Sequence, residues 1–147
     1  MTLLDASEEP KSKTLRYTVS GVSLVILISL SMWWFVFRLL PERRTAEHFM
    51  DAVVAGNLEA AYQIWKPEKS YSYQDFVSDW GEKGYYGPVK SYRIESAALP
   101  KDSSGVDVVV EISPFVPFPD NSSSQSARNR EVHVRVETTD HSMSFPP

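Results

Sequence analysis

The side chains that could do chemistry in this chain are three histidines, a few paired carboxylates and a dense set of aromatic rings. His48, His133 and His141 never fall at i, i+4 from one another, and no carboxylate completes a three-ligand set at metal spacing. There is no cysteine, which excludes disulfides, thiolate ligands and cysteine nucleophiles. No metal and no cofactor is therefore expected. His48 and Asp51, at i, i+3, read either as an acid–base dyad or as a solvated pair. The solvated reading is preferred, because that helix face opposes Met50 and Val53 only partly. Asp75 and Asp79, at i, i+4, would do acid–base work if burial split their pKa values. Asp75 already has a capping role, however, and Asp79 is expected to face solvent. No nucleophile elbow, Walker A loop or dinucleotide fingerprint is present. The expectation is a non-enzyme with no catalytic residue.

The aromatics are denser than a minimal core needs. Tyr62, Trp65, Tyr71, Tyr73, Phe76, Trp80, Tyr85, Tyr86 and Tyr92 lie within about thirty residues. Trp65, Phe76 and Trp80 fall at helix-face spacing and are assigned to the core. Tyr85 and Tyr86 lie in a glycine-flanked turn and are candidate partner contacts, where phenols give large contact area with a polar handle. Phe115 and Phe118, in the run Phe115-Val116-Pro117-Phe118-Pro119, are further candidates. The alternative for that run is a loop folded over the core. Asn121-Ser122-Ser123 is an N-glycosylation sequon, relevant only in a eukaryotic secretory compartment.

The elements that carry these residues begin with Tyr17 to Phe37, twenty-one residues without a charge. As a helix that stretch is about 30 Å long, the thickness of a bilayer's hydrocarbon core. Arg16 and Arg38 flank it, and Trp33, Trp34, Phe35 and Phe37 crowd its C-terminal end, where rings favour the headgroup layer. A cleaved signal peptide is the alternative, but its apolar region normally runs about 7–15 residues. Ser29-Leu30-Ser31 is a poor cleavage match, so an uncleaved single-pass anchor is expected. Lys11, Lys13 and Arg16 precede the span; Arg38, Arg43 and Arg44 follow it. The positive-inside rule is thus balanced. The simpler insertion puts the N-terminal tail in the cytoplasm and the domain outside. Ser20, Ser23 and Ser31 share one stripe with Leu27. They read as a docking face for a partner helix, or as hydroxyls bonded back to their own helix.

Residues 1–16 are polar and expected to be a disordered tail. Residues 38–147 suffice for one small domain. From 41 onward, eleven Lys/Arg against sixteen Asp/Glu leave it five charges negative. That balance argues against nucleic acid as a partner. Pro41 suits a first helical turn, and Ala46, Phe49, Met50 and Val53 make one apolar helix face. Gly56-Asn57 stops that helix, and a second follows from Leu58 to Trp65, ended by Lys66-Pro67. A capping box, Ser72-Tyr73-Gln74-Asp75, opens a third helix predicted to run to about Lys83. After Pro88 the period becomes two. Strands are expected at Val89 to Ala98, Val106 to Ile112, Glu131 to Glu137 and, briefly, Ser142 to Phe145. A flexible polar loop is expected over 119–130. The class is α+β, about three helices on one face of a curved antiparallel sheet of three to four strands. No internal repeat is present.

The segment TAEHFMDAVVAGNLEAAYQIW (Thr45 to Trp65) resembles the opening of nuclear transport factor 2-like (NTF2-like) domains. In those domains a helix ends at a Gly-Asn or Gly-Asp step and a short helix carries Ala-Tyr or Ala-Trp. The resemblance covers roughly residues 42–145 and is closest to small membrane-anchored members. It implies a cone whose sheet and helices enclose a pocket, holding an Asp–Tyr acid–base pair in the enzymes; no residue of this chain inherits that site. The chain is also similar to the cytochrome oxidase assembly protein 1 family, a single span followed by a small α/β domain, through Gly87-Pro88-Val89. The expected function is a membrane-anchored accessory or assembly subunit that binds a protein partner or a second copy of itself. A small apolar ligand is the alternative, and an NTF2-type isomerase or hydrolase ranks last.

Overall fold

In the computed structural model residues 13–66 and 69–146 are described, with side chains from residue 17 onward except at 35 and 36. The tail expected over 1–16 lies outside these residues as far as 12, as does Pro67. Helix α1 spans Lys13–Arg38, so it takes in Lys13 to Arg16 as well as the apolar stretch. Its twenty-six residues make it about 39 Å long. The window Tyr17–Trp34 has a mean hydropathy of 1.5, and the helix is long and apolar enough to cross a membrane. Its described apolar side chains, from Tyr17 to Trp34 and at Phe37, are exposed. Trp33 and Phe37 meet edge to face at 4.8 Å near its C-terminal end. The chain divides after Arg38 into this helix and a second unit from Leu39 onward.

In the second unit, α2 spans Leu40–Val54, with Pro41 in its first turn. It buries Ala46, Phe49, Met50 and Val53, the face the spacing predicts. Gly56 takes a left-handed φ of 75°, which costs glycine little and other residues more. Asn57 then caps α3, Leu58–Trp65, by accepting from the Ala60 N–H at 3.2 Å. The capping box forms in full: the Asp75 N–H donates to Ser72 Oγ at 3.2 Å, and the Ser72 N–H to Asp75 Oδ2 at 3.1 Å. Helix α4, Tyr73–Trp80, ends about three residues earlier than predicted. Gly81 leaves helical geometry with ψ 167°, and the chain reverses through Gly84 and Gly87. There a Cβ on Gly87 would overlap the Gly81 carbonyl oxygen.

The strands are β1 (Ser91–Ala98), β2 (Gly105–Ser113), β3 (Arg130–Glu137) and β4 (Met143–Ser144). They form an open antiparallel sheet in sequence order. Strand β1 starts two residues later than predicted. The chain joins its neighbour at Lys90, whose N–H donates to the Ser113 carbonyl at 2.8 Å. A bulge falls between Ile94 and Ser96. Strand β4 is shorter than predicted, since Phe145 leaves it to pack on Trp65 at 5.0 Å. Val106, Val108 and Val110 face Val136, Val134 and Val132 across the ladder, all buried. Between this valine face and the helices, Phe49 meets Trp65, Trp80 and Phe76 at 5.1, 4.9 and 6.1 Å. The domain is α+β, with these rings and valines as its core.

On the sheet's other face Asp107 accepts from Arg135 at 2.7 Å, and Glu111 accepts from Arg93 at 2.7 Å. The 119–130 loop carries a short 3-10 helix, Ser124–Arg128. It is tied to that face by Arg93 donating to Asn121 at 3.1 Å and Asn129 donating to Glu111 at 2.9 Å.

Candidate partner-binding groove

Tyr85 and Tyr86 sit in the reversal between α4 and β1, and Phe115 and Phe118 in the loop leaving β2. Tyr85 is 66% exposed. Tyr86 is half-buried and packs on Trp80 at 4.7 Å and Phe145 at 5.7 Å. Its phenol is pushed above the usual tyrosine range, first by burial and then by Tyr85 and Asp79. Beside it runs a groove of about 370 Å³, walled by Tyr86, Pro88, Ile112, Pro114, Arg128 and Arg130 among others, with no carboxylate in its lining.

The two arginines organise the groove. Arg130 lies over Tyr85 at 4.7 Å and Tyr86 at 5.7 Å, and donates to the Tyr85 carbonyl oxygen. Arg128 lies over the Phe115 ring at 5.2 Å. A guanidinium over a ring is held by cation–π attraction and can still donate from its remaining N–H groups. Among the described residues neither has a carboxylate partner, whereas Arg43 and Arg135 each have one and Arg93 has two. Three of the four aromatic candidates thus meet at the groove, Tyr86 directly and Tyr85 and Phe115 through the stacked arginines. Phe118 does not join them. It is half-buried beneath Arg93 at 4.8 Å, on the outer face of the sheet. Val116, 74% exposed, is the open apolar residue of that loop. Sequence reading missed Arg128 and Arg130; the only signal was Ala-Arg-Asn-Arg closing a polar loop before a strand.

The other candidates resolve differently. His48 and Asp51 form no dyad: His48 is exposed, and Asp51 accepts from the Tyr92 hydroxyl at 2.7 Å. His48 instead shares a cleft of about 460 Å³ with Thr45, Ile64, Lys66 and His141. Asp75 is occupied by its cap. Asp79 is half-buried and accepts from the Tyr71 hydroxyl at 2.6 Å. The expectation that it faces solvent is corrected, because Tyr71 from the α3–α4 loop folds against α4. Tyr71 and Tyr92 are both pushed well above the usual phenol range by burial and by their carboxylate partners. Neither pair lines the groove. In α1, Ser31 Oγ donates to the Ile28 carbonyl at 2.9 Å, while Ser20 and Ser23 are exposed.

The chain matches no family model, no curated protein and no solved structure.

Proposed function

We propose that this chain is a single-pass membrane protein whose α+β domain, an NTF2-like one in our reading, docks a protein partner as an accessory or assembly subunit. The observation that carries this reading is the groove, with exposed Tyr85, half-buried Tyr86 and two arginines lacking carboxylate partners. The filled interior supports it too, because Phe49, Trp65, Phe76 and Trp80 occupy the space where a ligand pocket would lie. The length and aromatic end of α1 support an uncleaved anchor; the tail is placed in the cytoplasm and the domain outside because that is the simpler insertion of a short tail before a larger domain.

The test is site-specific photocrosslinking in native membranes. A crosslinking residue at position 85 should give a discrete protein adduct, and one at position 101, in the β1–β2 turn, should not. Equal labelling at both positions, or none at 85, contradicts the reading.

The small-ligand reading rests on a second cleft of about 270 Å³, walled by Val53, Leu58, Trp80 and Val89. It lies just below the usual size of ligand pockets, about 300–1,000 Å³, and ranks second. Saturable quenching of tryptophan emission by a fatty acid or small aromatic, abolished by Leu58→Trp, would favour it. An isomerase or hydrolase activity ranks last, since the Tyr71–Asp79 and Tyr92–Asp51 pairs belong to different elements and hold phenols as donors.

A further inference from the structure

We infer that the occupant of the groove is an extended acidic segment of the partner, its carboxylates received by Arg128 and Arg130. This rests on the docking reading above and names the partner's chemistry. The groove lining holds two guanidiniums and no carboxylate, in a domain whose net charge is five negative with these two arginines counted. Arg128 lies over Phe115, and Arg130 over Tyr85 and Tyr86, so each guanidinium is biased towards the groove before anything binds. The planar guanidinium fork can donate to a carboxylate in two parallel hydrogen bonds.

Shape points to an extended chain. About 370 Å³ is at the small end of binding pockets, room for a few side chains of an extended segment. Strand β3 also starts at the groove's own Arg130, and β4 pairs only with Arg135 and Val136. The outer edge of β3 from 130 to 134 therefore has no strand beside it among the described residues. A segment leaving the groove along that edge meets backbone groups of the kind that strand addition uses. Glu131, at the start of that edge, is hydrogen-bonded to His133 at 2.7 Å and lies outside the groove lining.

The chain's own acidic stretch, Asp5 to Glu9, is excluded as occupant in the same molecule. If α1 spans the membrane, the tail and the domain lie on opposite sides. A polyanion such as nucleic acid would meet the repulsion of an acidic domain over a much longer surface.

The experiment uses the full chain in detergent micelles and a fluorescein-labelled decapeptide that alternates Asp and Glu with Tyr and Pro. Fluorescence anisotropy should report binding that weakens at least tenfold in an Arg128→Gln, Arg130→Gln double variant. Binding should weaken similarly between 50 and 300 mM salt, and be lost for the Asn/Gln version of the peptide. Lys101→Gln, in the exposed β1–β2 turn, should leave binding unchanged, and circular dichroism of the double variant guards against misfolding. Should the double variant not fold, charge-preserving Arg130→Lys with wild-type circular dichroism should still weaken binding severalfold. Equal binding of the Asn/Gln peptide, or binding indifferent to the arginines, overturns the inference. So does arginine-dependent binding to phosphatidylserine vesicles with none to the peptide, which would make the ligand a membrane surface. If position 85 crosslinks to protein but the acidic peptide neither binds nor competes, the docking reading survives and the acidic occupant is wrong. If the adduct and the peptide binding both fail, so do both readings.

Discussion

Glu42 is 4% exposed, and among the described residues its Oε2 has no hydrogen-bond partner. A buried oxygen that has lost water without gaining a donor costs about 1–3 kcal/mol. Glu42→Leu should therefore raise the thermal midpoint of the full chain in calorimetry; a lowered midpoint would mean the carboxylate is held by something outside the domain. The phenols of Tyr71 and Tyr92 make a second expectation. Their folded pKa values lie above those of free tyrosine, so the unfolded chain releases these protons first as pH rises. Their contribution is full below about pH 10 and is lost above it, by at most about 1.4 kcal/mol per pH unit for each phenol and less where solvent screens. Alkaline unfolding should show that slope, and Tyr71→Phe should flatten it. It should also cost about 1–3 kcal/mol at neutral pH by leaving Asp79 without its donor. An unchanged alkaline slope would contradict the assignment.

Helix α2 carries the core. Phe49 is wholly buried among Trp65, Phe76 and Trp80. Phe49→Ala should cost about 3–5 kcal/mol in denaturant unfolding, against about 0.5–2 kcal/mol for Ser72→Ala at the α4 cap. Reversal of that order would mean the aromatic core is looser than its geometry. These elements were legible because their signals are local. The i, i+3, i+4, i+7 spacing of Ala46, Phe49, Met50 and Val53 states a helix face, and Val132, Val134 and Val136 state a strand face. The Gly56-Asn57 step names a stop and a cap in adjacent residues. What was not legible depends on tertiary contact. The end of α4 at Trp80 is set by where the chain turns back at Gly81, and the short β4 by Phe145 leaving for the tryptophans. The groove is the clearest case. Tyr85, Tyr86 and Phe115 are visible as exposed aromatics, but Arg128 and Arg130 belong to a loop that reads as polar filler. Only the fold brings that loop beside the α4–β1 reversal. Phe118, similar in sequence context to Phe115, goes to the opposite face for the same reason.

At the scale of the molecule, α1 and the domain are separate units joined at Arg38 and Leu39. If α1 is an anchor, the intact mass from native membranes should include residues 1–37, and carbonate washing should leave the chain in the membrane fraction. A mature chain starting after Ser31 would make α1 a signal sequence instead. In the proposed reading the anchored domain works in complex with a protein. The most direct measurement is the protein mass, by light scattering, of the particle released from native membranes in mild detergent. The expected result is a mass well above one chain, falling to one chain in the Arg128→Gln, Arg130→Gln double variant. A wild-type particle that contains a single chain and nothing else would contradict the account.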